Sequence, residues 1–452
     1  MQNNTARTDK PTLIGYLPPI GGIQKTRANY NWHSHLINSG DICYTYPGTL
    51  IACGNNYKAW NFSLTAEQVN EEYSNVIFYI PCRIAPPPHD KDGYPFERAT
   101  EFVSKLKIPF VSVSESIQSS AYEYEADFHK KLSPVVTRYL HTLADRSVSI
   151  GTRGEFSAEV LKKLGIKNAE VVGCPSLYIN GPQLNRKLTN LPEPGNIKNV
   201  AVCYSNYQEL ENSRIRDFLA MAKKRNYHYV EQSFNLIVKA LHYPGMIEVN
   251  DILKAMSVFH GLDEIRDLFR HGRIRYFTNY QLWENFLRTM DFAFGARMHG
   301  LTPAIHVGVP AFFIAHDARV REMCEYFQLP YTGEADIPPG AEMEYFYSRC
   351  DYGDAVTSYP SRYYRFIDFL KKNNIAPNVG ADGNILAPWD PQPLPQVAAS
   401  ELRLPSAIDA DFFDLLCTMS KEYSPEKHDS LDSCVRKVAQ AWYDTRASFG
   451  DI

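Results

Sequence analysis

The chain has 452 residues, 44% of them apolar and 22% charged, and a formal net charge of -4. This is an ordinary globular composition, long enough for two or three domains. It offers no basic stripe for nucleic acid, no apolar run of about 18 residues for a membrane span, and no secretory apolar core in its start, MQNNTARTDKPTLIGYLPP.

In chain order, TLIGYL, LIACG, NVIFYIP, PFVSVS, SVSIG and AEVVGC read as buried strands between residues 12 and 180. Between them LTAEQVNEEY, ERATEFVSKL, SPVVTRYLHTLA and GEFSAEVLKKLG read as helices, the last with Ser157 and Glu159 near its start and Gly165 at its end. Alternation at this spacing implies a parallel, doubly wound sheet. Residues 180–199, NGPQLNRKLTNLPEPGNIKN, have the Asn, Pro and Gly content of a linker.

The alternation then restarts. NVAVCYS and RIRYFT read as strands, and ELENSRIRDFLAMAKKR, DEIRDLFRHG and YQLWENFLRTM as helices, while FNLIVKAL is ambiguous. The expected fold class is therefore α/β with two Rossmann-like doubly wound domains. The first covers 1–185 and the second 198–335. A helical return segment, 336–375, ends in the amphipathic SRYYRFIDFLKK, suited to packing back across the first domain. A C-terminal extension, 376–452, begins Pro- and Gly-rich and closes with DADFFDLLCTMSK and LDSCVRKVAQAWYD, which read as helices.

Chemistry concentrates in DFAFGARMHGLTPAIHVGVPAFFIAHDARVREMCE, residues 291–325. Arg297 and His299 stand where the strand DFAFG should end, and Gly300 opens a helix. The next strand, VPAFFIA, ends in His316, Asp317 and Arg319. Open α/β sheets bind ligands at the carboxyl ends of their strands. A helix start near Gly300 adds N–H groups and the positive end of a dipole. The pattern suits a small anion beside a histidine that can move a proton; structural roles for the same side chains stay open.

Arg153 repeats this layout after SVSIG and could close on the same ligand from the first domain, or pair with Glu155. Cys174, in GCPSLYI, has no neighbouring His or acid in sequence to activate it as a nucleophile. The nine cysteines are scattered without a CxxC pair, as expected of reduced thiols in a cytoplasmic protein. His33 and His35 alternate as a metal pair would, but no further ligand pattern completes the set, so no metal is expected. No GxGxxG or GxxxxGK[ST] phosphate loop is present.

Three segments carry a resemblance to the polysaccharide pyruvyl transferase family. SVSIGTRGEFSAEVLKKLGIKNAEVVGCPSLYI is similar to that family's strand–Arg-Gly–helix and Gly-x-Pro-Ser-Leu turn. FAFGARMHGLTPAIHVGVPAFFIAHDARVREMCE is similar to its Gly-x-Arg-hydrophobic-His helix start and Asp-x-basic-Val-Arg motif. NVIFYIPCRIAPP with PFVSVSESIQS is a weaker match. His316 and Ala318 stand where Tyr and Pro are common, and Arg319 where Lys is common.

The resemblance implies a GT-B-like fold and transfer of pyruvate from phosphoenolpyruvate to a lipid-linked or nucleotide-linked sugar as a ketal, with no cofactor. It implies catalytic roles for His299 and Arg297. Substrate binding would fall to Arg153, Gly300, His316, Asp317 and Arg319, because a carboxylate and a phosphate need several fixed cations. It is compatible with a cytoplasmic enzyme working at the inner membrane surface and leaves oligomeric state open. A GT-B nucleotide-sugar glycosyltransferase and a non-catalytic glycan-binding protein remain alternatives.

Overall fold

The computed structural model describes residues 10–15, 38–54, 56–60, 64–79, 84–87, 95–119, 126–204, 214–233, 235–242, 247–259, 262–277 and 279–386, with parts of 414–440. His33 and His35 lie outside them. Two parallel sheets organise the molecule.

The first sheet draws on β1 (Thr12–Gly15), β2 (Tyr57–Ala59), β3 (Asn75–Phe78) and β4 (Phe110–Ser112), in the order β2-β1-β3-β4. Helices α1 (Ile42–Cys53), α2 (Ala66–Glu72) and α3 (Phe96–Ser104) connect them. After α4 (Pro134–Arg146) come β5 (Ile150–Thr152), α5 (Glu155–Lys163) and β6 (Ala169–Val171). The β5–β6 pair extends the first sheet through a parallel bridge between Glu115 and Thr152.

The second sheet comprises β7 (Val200–Val202), β8 (His228–Val230), β9 (Ile274–Arg275), β10 (Phe292–Gly295), β11 (Ala311–Ala315) and β12 (Tyr331–Gly333). Its helices are α6 (Ile215–Arg225), α7 (Asn235–His242), α8 (Val249–Phe259), α9 (Asp263–Arg270), α10 (Tyr280–Leu287), α11 (Met298–Val307) and α12 (Ala318–Phe327). The strand order is β12-β11-β10-β7-β8-β9, all parallel. Counted within the sheet, this is the Rossmann order, with its topological switch point between β7 and β10. The strands here are apolar on both faces, as a sheet covered by helices on both sides requires. The α/β class read from sequence is thus the class observed.

Two local expectations fail. LIACG is the end of α1, not a strand. That helix is buried almost all round, so its apolar run has no 3.6-residue period to distinguish it from a buried strand. Gly300 does not open its helix: α11 begins at Met298 with Arg297 as the capping residue. The ambiguous FNLIVKAL resolves as α7, and the three-residue strands β8 and β12 carry too little pattern to have been read.

The linker-like stretch is packed rather than loose. Leu184 and Leu188 are buried, and Asn180 donates to the backbone carbonyl of His306 at 2.9 Å. Beyond α13 (Met343–Tyr347), α14 (Gly353–Lys372) returns to the first sheet. Tyr359 donates to the Leu177 carbonyl at 2.6 Å, Ser149 N–H donates to Asn373 at 3.0 Å, and Phe366 stacks on Tyr178. The aromatic face of α14 is therefore spent inside the chain. Described residues of the extension dock on the second sheet's helices, with Asp414 on Arg266 at 2.9 Å and Asp432 accepting from Val249 N–H at 3.0 Å.

Candidate active site at the meeting of two sheet ends

The switch point of the second sheet places its chemistry. After β10 the chain turns with Arg297 N–H donating to the Cys203 carbonyl at the end of β7, at 3.1 Å. Arg297 therefore sits between the two strands that define the crevice, and its guanidinium donates to Ser233 Oγ at 2.8 Å. His299 follows in the first turn of α11, where the helix dipole favours negative charge. The Gly300 N–H is already bonded to the Arg297 carbonyl at 2.9 Å, so it is not the anion donor that sequence suggested. Gly300 is there for space: a Cβ would lie 2.0 Å from Gln232 Nε2.

At the end of β11, Asp317 caps α12 by accepting from Val320 N–H at 3.0 Å. Arg319 Nε donates to Asp317 at 2.7 Å, and His316 Nε2 lies 3.5 Å from the same carboxylate. Burial alone would raise the Asp317 carboxyl, but Arg319, His316 and the Val320 N–H hold it down at about 2. His316, by contrast, is lowered by burial and by Arg319 and Arg297 against the opposing pull of Asp317. Asp317 thus anchors Arg319 as a fixed counter-ion rather than facing a ligand as an acid.

The first sheet supplies the opposite wall. Arg153, buried at the end of β5, donates its N–H to the Glu115 carbonyl at 3.0 Å and approaches Ser114 Oγ through Nε at 3.4 Å. Ser114 has φ +67°, costly for a residue with a side chain, and such strain gathers at functional sites. Tyr44 of α1 joins the two walls: the Arg153 guanidinium lies 5.3 Å from its ring centroid and the His299 ring 5.0 Å from it. Cys174, just past β6, brings Sγ to 3.5 Å from His299 Nε2.

The sequence-predicted Arg153, Arg297, His299 and Arg319 are therefore brought together. Burial first, then the charges of Arg153, Arg319 and Arg297, push the His299 pKa well below its ordinary 6.5. Its imidazole is neutral at pH 7, and an anion bound among the three guanidinium groups would restore part of its basicity.

Two buried carboxyls complete the first-sheet side. Desolvation raises Glu115 to about 7 despite Ser112 and Arg153, and among the described residues its Oε2 has no hydrogen-bond partner. Glu322 of α12 crosses to the first sheet's side, accepting from Ser157 N–H at 3.0 Å, Ser157 Oγ at 2.8 Å and Ser116 Oγ at 3.1 Å. Desolvation likewise raises it to about 7, against those three bonds and Arg153.

Sequence reasoning missed Tyr44, Ser114, Glu115 and the partner of Cys174. The acid inside the apolar run PFVSVSESIQS was the one available signal, for Glu115. Nothing local marks Tyr44. Among the described residues no cluster of three His, Cys, Asp or Glu side chains could hold a metal, and no helix is long and apolar enough to cross a membrane.

A sequence model of the polysaccharide pyruvyl transferase family matches residues 88–318, just over half of the chain and including Arg153, Arg297 and His299. No curated protein sequence matches. Among solved structures, the wall teichoic acid polymerase TagF is similar at 13% identity and a TM-score of 0.32, over 92% of this chain and 90% of that one. A Listeria monocytogenes protein described as a UDP-N-acetylglucosamine 2-epimerase is similar at 10% identity and a TM-score of 0.32, over 92% and 98% of the two chains. The fold assignment stands on this chain's own sheets.

Proposed function

The chain belongs to the polysaccharide pyruvyl transferase family, and from that premise we propose that it moves the enolpyruvyl group of phosphoenolpyruvate onto a sugar of a polysaccharide precursor as a ketal. The observation that carries this reading is one neutral imidazole ringed by Arg153, Arg297 and Arg319 at a topological switch point.

Phosphoenolpyruvate brings a carboxylate and a phosphate, which guanidinium groups grip in bidentate fashion. Two sugar hydroxyls add to C2 and the bond from C2 to the phosphate oxygen breaks. One hydroxyl proton ends on C3, turning CH2 into CH3, and the other leaves with phosphate.

A neutral His299 suits removal of the hydroxyl proton. It is the wrong group to protonate C3, because an acid must carry its proton at working pH. The candidate for that task is Glu115, a buried carboxyl beside Arg153 that desolvation pushes up to about 7 and whose Oε2 has no partner among the described residues. Arg297 and Arg319 would stabilise charge on the departing phosphate, with Ser233 holding Arg297, and Asp317, itself beside His316, holding Arg319. A lipid-linked acceptor would bring the protein to a membrane surface without a spanning segment.

The test is incubation with phosphoenolpyruvate and lipid- or nucleotide-linked sugars, followed by phosphate release and mass detection of the pyruvyl adduct. Glycosyl transfer from a nucleotide-sugar, with phosphoenolpyruvate inert, would overturn the reading.

A further inference from the structure

His299 has two ring nitrogens, and only one can face the reacting proton while the other is held. We infer that Cys174 is a positioning residue, its thiol holding the Nε2 edge of His299 so that Nδ1 is the nitrogen presented to substrate. The inference rests on the catalytic reading of His299 given above.

The geometry is that of a built contact. Cys174 is fully buried, and its backbone is clamped on both sides. Val172 and Gly173 N–H both donate to the Thr152 carbonyl, at 3.0 and 3.1 Å, and Ser114 Oγ donates to the Gly173 carbonyl at 2.9 Å. Gly173 has φ +73°, and a Cβ there would meet Phe327 at 2.5 Å and Tyr326 at 2.6 Å, so the turn has one shape. Pro175 then fixes the next residue's φ and starts a short turn. The sulfur is thus delivered at 3.5 Å from Nε2 by the first sheet's side, while His299 belongs to the second. Tyr44 limits the remaining freedom by packing on the ring at 31°.

A thiol is an apt orienter here. Catalytic histidines are commonly oriented by a carboxylate, which also stabilises the imidazolium. Beside three guanidinium groups a carboxylate would instead draw one of them into an ion pair and favour a charged ring. A thiol sulfur can accept the Nε2–H weakly and so set the tautomer. The Nδ1 lone pair is then the base. Cysteine does no covalent work in this arrangement.

The experiment compares wild type with Cys174→Ala and Cys174→Ser. In protein selectively labelled with 15N-histidine, wild type should show the His299 tautomer protonated on Nε2, and Cys174→Ala a mixture of the two neutral forms. Kinetically, Cys174→Ala should lower kcat by about 10- to 100-fold, as a misplaced catalytic group does, with KM for phosphoenolpyruvate changed less than about twofold. Cys174→Ser, which keeps a donor and acceptor at the position, should recover most of the loss and the tautomer. A wild-type ring protonated on Nδ1 overturns the inference, as does a folded Cys174→Ala protein with wild-type kcat and tautomer. If the tautomer responds to Cys174 while the wild-type protein never consumes phosphoenolpyruvate, the positioning contact stands and the functional reading fails.

Discussion

The two walls around His299 are stabilised in different ways. On the second sheet's side the charged groups are anchored: Asp317, held down at about 2, accepts from Arg319, and Arg297 donates to Ser233 Oγ. Caps and sheet ladders place them, with Asp317 accepting from Val320 N–H and Arg297 N–H tied to the end of β7. On the first sheet's side the acids are the responsive groups. Burial pushes Glu115 and Glu322 up to about 7, and Ser114, the residue before Glu115, holds φ +67°. The proposed reaction, which binds an anionic donor and also moves protons, would use both kinds of wall: anchored charge to grip the donor, and titratable acids to exchange protons with it.

The largest effects should come from breaking the fixed-charge wall. Replacing Arg297 by Ala should cut phosphate release by about 10²- to 10³-fold, the usual cost of losing one preorganised donor to developing charge, and replacing His299 by Ala by about 10²- to 10⁴-fold, the usual contribution of a positioned acid–base group, while circular dichroism and the melting temperature stay near wild type. Near-normal turnover in both variants would remove the second sheet's end from the chemistry altogether.

Arg153 sharpens the contrast, because it is a cation buried beside the titratable acids Glu115 and Glu322. Lysine there keeps a charge but loses the planar fork. Arg153→Lys should lower kcat/KM for phosphoenolpyruvate by about 10-fold or more, through KM as well as kcat, because an imperfect bidentate grip loses a kilocalorie or two per mole. An effect confined to the acceptor's KM would place Arg153 on the sugar instead.

The third test addresses the titratable wall directly. If Glu115 must carry the proton delivered to C3, activity is present below its pKa and falls as pH rises through about 7. The neutral His299 adds no loss on the acid side until well below pH 6.5. Glu115→Gln should be slow at every pH and should lack the fall near 7 in its kcat/KM profile. Retention of that limb in the variant would assign it to another group.

The sequence was informative where one stretch of chain makes one wall. Residues 291–325 run strand, helix, strand, helix, so each strand end displays its side chains in order and the pattern is visible without a structure. The opposing wall is assembled from Tyr44, Ser114, Glu115, Arg153 and Cys174, which come from four separate stretches. Arg153 was found because it repeats the strand-end layout. Cys174 was dismissed as a nucleophile for want of a nearby histidine, and its actual neighbour lies 125 residues later, across the interface. Gly300 shows a different limit. It lies two residues inside the helix rather than at its start, with its N–H already bonded to Arg297 and its α-carbon packed against Gln232, and only the third dimension shows this.

The smallest effect expected belongs to Glu322, and its sign follows from burial. Its carboxyl titrates at about 7 in the folded protein against an ordinary 4.5, because desolvation outweighs the bonds from Ser157 and Ser116. The folded state therefore binds the proton more tightly than the unfolded chain. Stability from this group is fully present below about pH 4.5 and is lost as pH rises through about 7. The difference amounts to at most about 3 kcal/mol. Glutamine at this position keeps an acceptor for the Ser157 N–H and cannot ionise. Glu322→Gln should thus be near neutral or mildly destabilising at pH 5.5, and should gain about 1–2 kcal/mol relative to wild type by pH 8.5 in urea unfolding. A constant difference across that range would mean that Glu322 stays ionised beside Arg153, and that the first sheet's side is as fixed in charge as the second.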